Sequence, residues 1–461
     1  RLAGNIQGTG TGGLYVSESN GLQIGTLNAI NVNQVGADGS VTATTDAAQS
    51  NLSSASNLVL VTLAGSLESM SAGGAISTAG NVLLQAVGAA SDITLGAALS
   101  NTAGHTSLNA ARSILQNANI TATGTGKTVD LLADASITMG AGAIIGTQNG
   151  NVVLTAVTGN ATLESITAGS ANVAITAGGS IVDRDTAGDS VVDITAAGLI
   201  LNAGTGIGAG ANHLETSVST LTANAGAGGL YITEANGVTV NSLTVAINRV
   251  ATDASVPGTA SGSATVTQED LSATGAGNLV LVSTLGDIEV NAGLTAGGIS
   301  LQTGNSLIEA TSGALTFTAA MAATGGHISL KAGSTLSQGV DGDISTSGAG
   351  TIGVQANAIS MADGASSITG TGNIRYAAVS TLTLGALSTA GDVSLSASSI
   401  TDAGAAGTDS VNVTADELRL VTTGVASGNG VGTSVNHLEV NVTRLAGNIQ
   451  GTGTGGLYVS E

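Results

Sequence analysis

The sequence predicts an all-β chain wound as a parallel β-helix, a β-solenoid whose turns, or rungs, take about 19–24 residues each. Three features predict it. Five-residue strand patterns with alternating apolar positions recur at that spacing. Glycine-rich corners separate them, with 70 Gly and a single Pro (Pro257) in 461 residues. The whole pattern is then repeated on two larger scales.

The strands come first. The first half reads VLLQA from Val82, TSLNA from Thr106, VDLLA from Val129, VVLTA from Val152, VAITA from Val173 and VDITA from Val192. The closing alanines, Ala86, Ala110, Ala133, Ala156, Ala177 and Ala196, are spaced 24, 23, 23, 21 and 19 residues apart. The second half offers ISLQT from Ile299, ISLKA from Ile328, IGVQA from Ile352, IRYAA from Ile374 and VSLSA from Val393. Side chains of a strand point to opposite faces in turn. Positions one, three and five are Val or Ile, Leu or Ile, and Ala, so that face is buried. Positions two and four are mostly polar and face water, Leu83, Ser107, Asp130, Asp193, Ser329, Lys331 and Arg375 among them. Leu154, Ile175, Leu330 and Leu395 are therefore expected to point inward. Tyr376 interrupts the buried column, which a wider rung would admit.

A second short strand follows each first one: DITL at Asp92, SILQ at Ser113, SITM at Ser136, SIVD at Ser180, TLSQ at Thr335 and SITD at Ser399. Corners such as TATGTGK before Val129 punctuate them. Helix is a poor alternative, because frequent Gly costs about 1 kcal/mol each in a helix interior and no i, i+3, i+4, i+7 stripe is sustained. Roughly 20 rungs stacked at about 4.8 Å would give a rod of about 95–100 Å.

The larger repeats follow. RLAGNIQGTGTGGLYVSE opens the chain at residues 1–18 and recurs at 444–461, an offset of 443. Within that repeat, NLVLVTLAGSLE at Asn57 matches NLVLVSTLGDIE at Asn278, and SIVDRDTAGDS at Ser180 matches SITDAGAAGTDS at Ser399. The expected organisation is a first half-repeat at 1–219, a second at 220–443 continuous with it, and the start of the next repeat at 444–461. Neither end reads as a polar cap, so both are expected to be cut faces of a longer array. Two stretches, 31–56 and 247–276, are less regular. Each is a rung with a long loop or an excursion off the solenoid, and a binding surface beyond the bare sides is expected there first.

Composition narrows the function. Thirty Asp and Glu against nine Lys and Arg give a net charge of −21. That disfavours nucleic acid and anionic membrane surfaces, which call for basic patches. No run of about 18 apolar residues is present, so membrane insertion is not expected. The absence of Cys excludes disulfides and thiolate metal sites.

Phrases such as GNVVLTA, GDVSLSASSITDAG, LILNAGTGIG and NHLETSVSTLTANAGAGGLYITEANG resemble the repeat regions of filamentous-haemagglutinin-like large exoproteins, bacterial surface adhesins built of β-strand repeats. The resemblance covers essentially the whole chain. It implies a right-handed parallel β-helix, export across a bacterial outer membrane, and a place at the cell surface or outside the cell in adhesion or fibre formation. The partners it implies are the next repeat, joined end to end, and glycans or proteins at a host or cell surface. The N-terminal secretion domain of such proteins has no counterpart in these residues.

Parallel β-helices also carry polysaccharide lyases and hydrolases, so acidic clusters are candidate sites. The best is SIVDRDTAGD, with Asp183, Asp185 and Asp189 around Arg184. Acid–base work calls for two carboxylates held together with separated pKa values, and calcium for several oxygens from one turn. The matching segment keeps Asp402 and Asp409 but has Gly404 in place of Asp185. A catalytic site recurring in degraded form is not expected, and no catalytic, cofactor or metal residue is assigned. The histidines form two repeat-related pairs, His105 with His327 and His213 with His437, which suits turn positions better than a converging zinc site. Tyr15, Tyr231 and Tyr458 recur likewise in GGLY, a packing position. GTGTGG at Gly8 lacks the Lys-Ser or Lys-Thr of a phosphate loop. The expected function is a structural or adhesive fibre segment. A calcium-dependent matrix or surface-layer protein is the alternative, and a polysaccharide-active enzyme is less favoured.

Overall fold

The computed structural model describes residues 1–9, 12–185, 188, 190–256, 263–295, 297–405 and 410–461, with backbone only for 263–264. The chain is an all-β parallel β-solenoid of about 17 turns. Fewer turns form than the expected 20, because two stretches leave the stack. Its described residues fall into two compact units. The first is Arg1–Thr186 with Asp193–Ala197 and Thr244–Val266; the second is Ala187–Val192, Gly198–Leu243 and Thr267–Glu461.

In the first unit three columns of strands rise together. One holds the five-residue strands Val82–Ala86, Thr106–Ala110, Val129–Ala133 and Val152–Ala156. A second holds Ile93–Leu95, Ile114–Gln116 and Ile137–Met139. A third, beyond the two strands the pattern made explicit, holds Leu99–Asn101, Ile120–Ala122 and Ile144–Thr147. The register places like on like: Leu108 pairs with Leu131, Leu131 with Leu154 and Leu154 with Ile175, all in parallel. The second unit repeats this with Ser306–Ala310, Ile328–Ala332, Ile352–Ala356, Ile374–Ala378 and Val393–Ala397. Leu154, Ile175, Leu330 and Leu395 are fully buried, as expected. Tyr376 is also buried in that column, its hydroxyl 2.7 Å from Ser367 Oγ, so the interior widens there and satisfies the phenol.

Two strands lie in a different column from the one their pattern predicts. Residues 192–196 stack through Ile166–Ile194 on the third column, not on Val173–Ala177, and Asp193 is buried rather than wet. Likewise Ile299–Leu301 pairs with Leu271–Ala273 and Met321–Ala323. The first-column strand of that turn is Ser306–Ala310. Both columns alternate apolar and polar residues with the same period, so alternation alone does not separate them.

The corners are held by small residues and asparagines. A Cβ on Gly150 would sit 1.8 Å from the carbonyl oxygen of Lys127, and one on Gly372 1.8 Å from that of Gly350. Only glycine fits these equivalent corners. Asparagine oxygens then bridge neighbouring turns: Asn81 Oδ1 accepts from His105 N at 2.9 Å, and Asn305 Oδ1 from His327 N at 2.9 Å.

Both irregular stretches are excursions. Residues 30–46 form an antiparallel hairpin, Ile30–Val35 with Val41–Asp46, before Leu52–Ser54 re-enters the stack. Leu243–Asn248 and Ser263–Gln268 likewise pair in a separate two-stranded sheet before Leu271–Ala273 re-enters the stack.

Candidate functional site

The most built feature on the outside of the first unit is the second position of its first strand column. An isolated β-helix would leave that position in water. Here Val59, Leu83, Ser107, Asp130, Val153 and Ala174 are all buried. The cover includes residues 244–256, which run as a strap across several turns. Val245, Ile247, Val250 and Ala254 are buried in it, and Val250 and Ala254 pack with Val59 and Leu83 in one apolar cluster.

Polar contacts fix the strap on four of the turns it crosses. Asn151 Nδ2 donates to Ala246 O at 2.8 Å. Thr128 Oγ1 accepts from Asn248 N at 3.2 Å, and Ser107 Oγ from Val250 N at 2.9 Å. Asn81 Nδ2 donates to Ala254 O at 3.0 Å. At the centre Arg249 grips Asp130 with both arms of its guanidinium, Nε to Oδ2 at 2.6 Å and Nη2 to Oδ1 at 3.1 Å. Burial pushes the Asp130 carboxyl up from its ordinary range, and the guanidinium pulls it back; the same ion pair raises Arg249. Such a pair gives register more than net stability, but losing one partner is costly.

His105 is buried beside Thr128, which the strap also bonds. Its Nδ1 lies 3.0 Å from Thr128 Oγ1 and accepts from Thr128 N at 3.1 Å. Burial, with the positive charge of Lys127 added, pushes the imidazole down to about 4. His327 makes the same contact with Thr351 at 2.9 Å, but on an exposed corner. The second histidine pair is equally repetitive. His213 Nδ1 is 2.8 Å from Thr233 Oγ1 with its ring 5.9 Å from that of Tyr231. His437 Nδ1 is 2.8 Å from Ser460 Oγ with its ring 6.1 Å from that of Tyr458. Asn57 and Asn278 donate to the hydroxyls of Tyr15 and Tyr231 at 3.3 and 3.1 Å. These are repeated turn positions, but packing does not follow throughout: Tyr231 and Tyr458 are half-buried, whereas Tyr15 is exposed. Beside Tyr231, Glu234 is fully buried and accepts from Thr216 Oγ1 at 2.7 Å, and burial pushes its carboxyl up to about 7.

The acidic candidates divide. Asp183 is buried, and its Oδ1 accepts from Asp185 N at 2.9 Å, closing a turn. Asp402 closes the same turn on Gly404 N at 3.0 Å and accepts from Asn412 Nδ2 at 2.7 Å. Asp185 thus serves through its amide, which glycine supplies equally well. Arg184 turns to Glu164 at 3.3 Å. Asp189 and Asp409 lie outside the described residues, as does Pro257. A pairing the spacing did not suggest is Asp183 with Asp193, whose carboxylate oxygens come within 4.8 Å. Asn412 stands at the equivalent of Asp193 in the other half.

In the second unit the outer ladder is open. Val280, Leu307, Ser329, Gly353 and Ser394 are half-buried, and Arg375 is exposed. A groove of about 780 Å³ runs along it between Arg375, Ser394, Arg419 and Arg444. No protein family, curated protein or solved structure matches this chain.

Proposed function

We propose that this chain is a structural, adhesive segment of an extended extracellular or bacterial cell-surface fibre, in which copies of the 443-residue repeat continue one solenoid end to end. One observation carries this reading. The corner built at His213, Tyr231 and Glu234 is rebuilt at His437, Tyr458 and Glu461, where the chain repeats its own first eighteen residues. Val218 N donates to Glu234 Oε1 at 3.1 Å, and Val442 N to Glu461 Oε1 at 3.2 Å. A joint that recurs with its histidine contact and its bond from main chain to glutamate suits an array. The acidic balance would keep neighbouring fibres apart.

Electron microscopy of a chain of several repeats tests it. A thin unbranched filament is expected, with a half-repeat every 40 Å or so, about eight turns at the strand spacing. Compact closed particles would refute it. The Asp183–Asp193 pair favours a second reading, a calcium-dependent matrix or surface-layer protein. Under that reading chelation would abolish the melting transition, which the fibre reading expects to survive. Turnover of a polysaccharide, lost in the Asp183→Asn, Asp185→Asn double variant, would instead establish an enzyme.

A further inference from the structure

We propose that the exposed hairpin Ile30–Val35/Val41–Asp46 is a strap for a second copy of this chain, and that it docks on the open ladder at Val280, Leu307 and Ser329 of the copy preceding it in the array. The proposal rests on the fibre reading, to which it adds a lateral clasp between successive repeats.

The hairpin and the covering strap are the same element. Both occupy the start of their half, and both close the same turn. Gly36 N donates to Ser40 O at 2.8 Å, and Ala251 N to Ser255 O at 2.9 Å. Ser40 N donates to Asp38 Oδ1 and Ser255 N to Asp253 Oδ1, each at 2.9 Å. The residue after the aspartate is left-handed in both, Gly39 at φ 81° and Ala254 at φ 62°. Anchored on this turn, Gln34, Val35 and Val41 correspond to Arg249, Val250 and Val256. Yet Val250 is 3% exposed, whereas Val35 is 72% and Val41 62% exposed. Ile30 and Val32 are exposed too. Five apolar side chains on so short a hairpin, counting Ala43, make poor free surface.

The open ladder keeps the fittings that hold the strap. Asn81, Ser107, Thr128 and Asn151 correspond to Asn305, Ser329, Thr351 and Asn373. Asn305 and Asn373 use their side-chain oxygens as Asn81 and Asn151 do, accepting from His327 N and Asp392 N at 2.9 Å. Among the described residues, their Nδ2 groups and Ser329 Oγ make no hydrogen bond. Val59 and Leu83 correspond to Val280 and Leu307, apolar in both halves.

The central ion pair decides the partner. Asp130 corresponds to Gly353, and Arg249 to Gln34. Both charges are absent together from the open ladder and the free hairpin. A surviving Asp at 353 under a hairpin carrying Gln34 would be a buried, unpaired charge, and a surviving Arg at 34 would face nothing. Their joint loss is what contact between these two surfaces requires. The remaining charges complement in the opposite sense. The open ladder carries Arg375 and Arg419, and the hairpin carries only Asp38 and Asp46.

A tandem chain tests this. Two repeats are joined so that residues 444–461 of the first serve as 1–18 of the second, and Leu307→Cys is placed in the first copy alone. The wild-type chain has no cysteine, so thiol labelling reports only this site. Labelling is expected to slow at least tenfold relative to Leu307→Cys in the single chain. Val35→Asp with Val41→Asp in the second copy should restore the single-chain rate. Equal rates in the single and tandem chains overturn the clasp, as does protection that survives the hairpin substitutions. Particle length, measured on the same sample, separates the two levels. Doubled length with an unprotected thiol removes the clasp and keeps the fibre. A length that does not double removes the fibre reading itself.

Discussion

Leu83 and Leu307 hold the same place in the two halves of the repeat, one turn after NLVLV in each, and the chain treats them differently. Leu83 is buried with Val59 beneath residues 244–256, while Leu307 stays on an open ladder. Their strands, Val82–Ala86 and Ser306–Ala310, have the same length and the same parallel pairing, and both turn positions one, three and five inward. The difference comes from elsewhere: a segment far along the chain covers one ladder and leaves the other bare. The inner face of a β-solenoid is fixed by its own turn, but its outer face depends on what lies across it. The rung pattern fixes inward residues reliably and outward ones only provisionally.

The largest expected effect falls on what the halves share. Leu154→Asp places an unpaired carboxylate in the interior ladder, and should cost several kcal/mol and abolish the cooperative melting transition. Ser329→Asp, on the open ladder, should change stability by less than about 0.5 kcal/mol. Comparable losses from both would mean that the inner and outer assignments are wrong.

A smaller effect separates the halves. Arg249→Gln strands Asp130 under the strap, and the loss is capped at about 2–3 kcal/mol, the cost of the strap peeling away to rehydrate the carboxylate. Adding Asp130→Gly copies the Gln34 and Gly353 combination, and should recover at least half of the loss. A double variant as unstable as Arg249→Gln alone would show that the ion pair does not organise this contact.

Acid acts in opposite directions on two buried groups. His105 is held neutral well below the ordinary histidine range, so its contribution is fully present above pH 6.5 and is lost as the pH falls towards about 4. Glu234 is raised to about 7, so its contribution is present below about pH 4.5 and is lost as the pH rises through 7. Between pH 4.5 and 6.5, hydrogen exchange should therefore slow around His105 with rising pH, after correction for the intrinsic rate, and quicken around Glu234. His105→Gln and Glu234→Gln should each remove their own slope and leave the other.

The inner ladder was legible in the sequence because every buried position repeats at the turn period. Leu154, Ile175, Leu330 and Leu395 fell where the alternation placed them. The two misplaced strands, at Val192 and Ile299, obey the same alternation in a neighbouring column, and nothing local tells columns apart. The strap was half legible. The 247–276 stretch stood out as irregular, but its partner surface lies over a hundred residues away for Arg249 and Asp130, and single-sequence periodicity carries no long-range pairing. A signal was present all the same. Val59, Leu83, Val153 and Ala174 are apolar at a position that should face water, and the second half has Arg375 and Ser394 where the first has Val153 and Ala174. The acidic SIVDRD cluster read as a possible site because spacing shows which residues are close in sequence. It does not show that Asp185 lends its amide to Asp183 while Asp193 approaches from the next pass.

The covered and open ladders can be compared in one measurement on the single chain. Leu83→Cys and Leu307→Cys, made separately in a protein with no other cysteine, are labelled with a thiol reagent under native conditions. Leu307→Cys should react at close to the rate of a free thiol. Leu83→Cys should react about a hundredfold more slowly, since labelling must wait for a strap whose opening costs about 2–3 kcal/mol, and Arg249→Gln should speed it. Equal rates at the two positions would contradict the account, because the two ladders would then be equally bare.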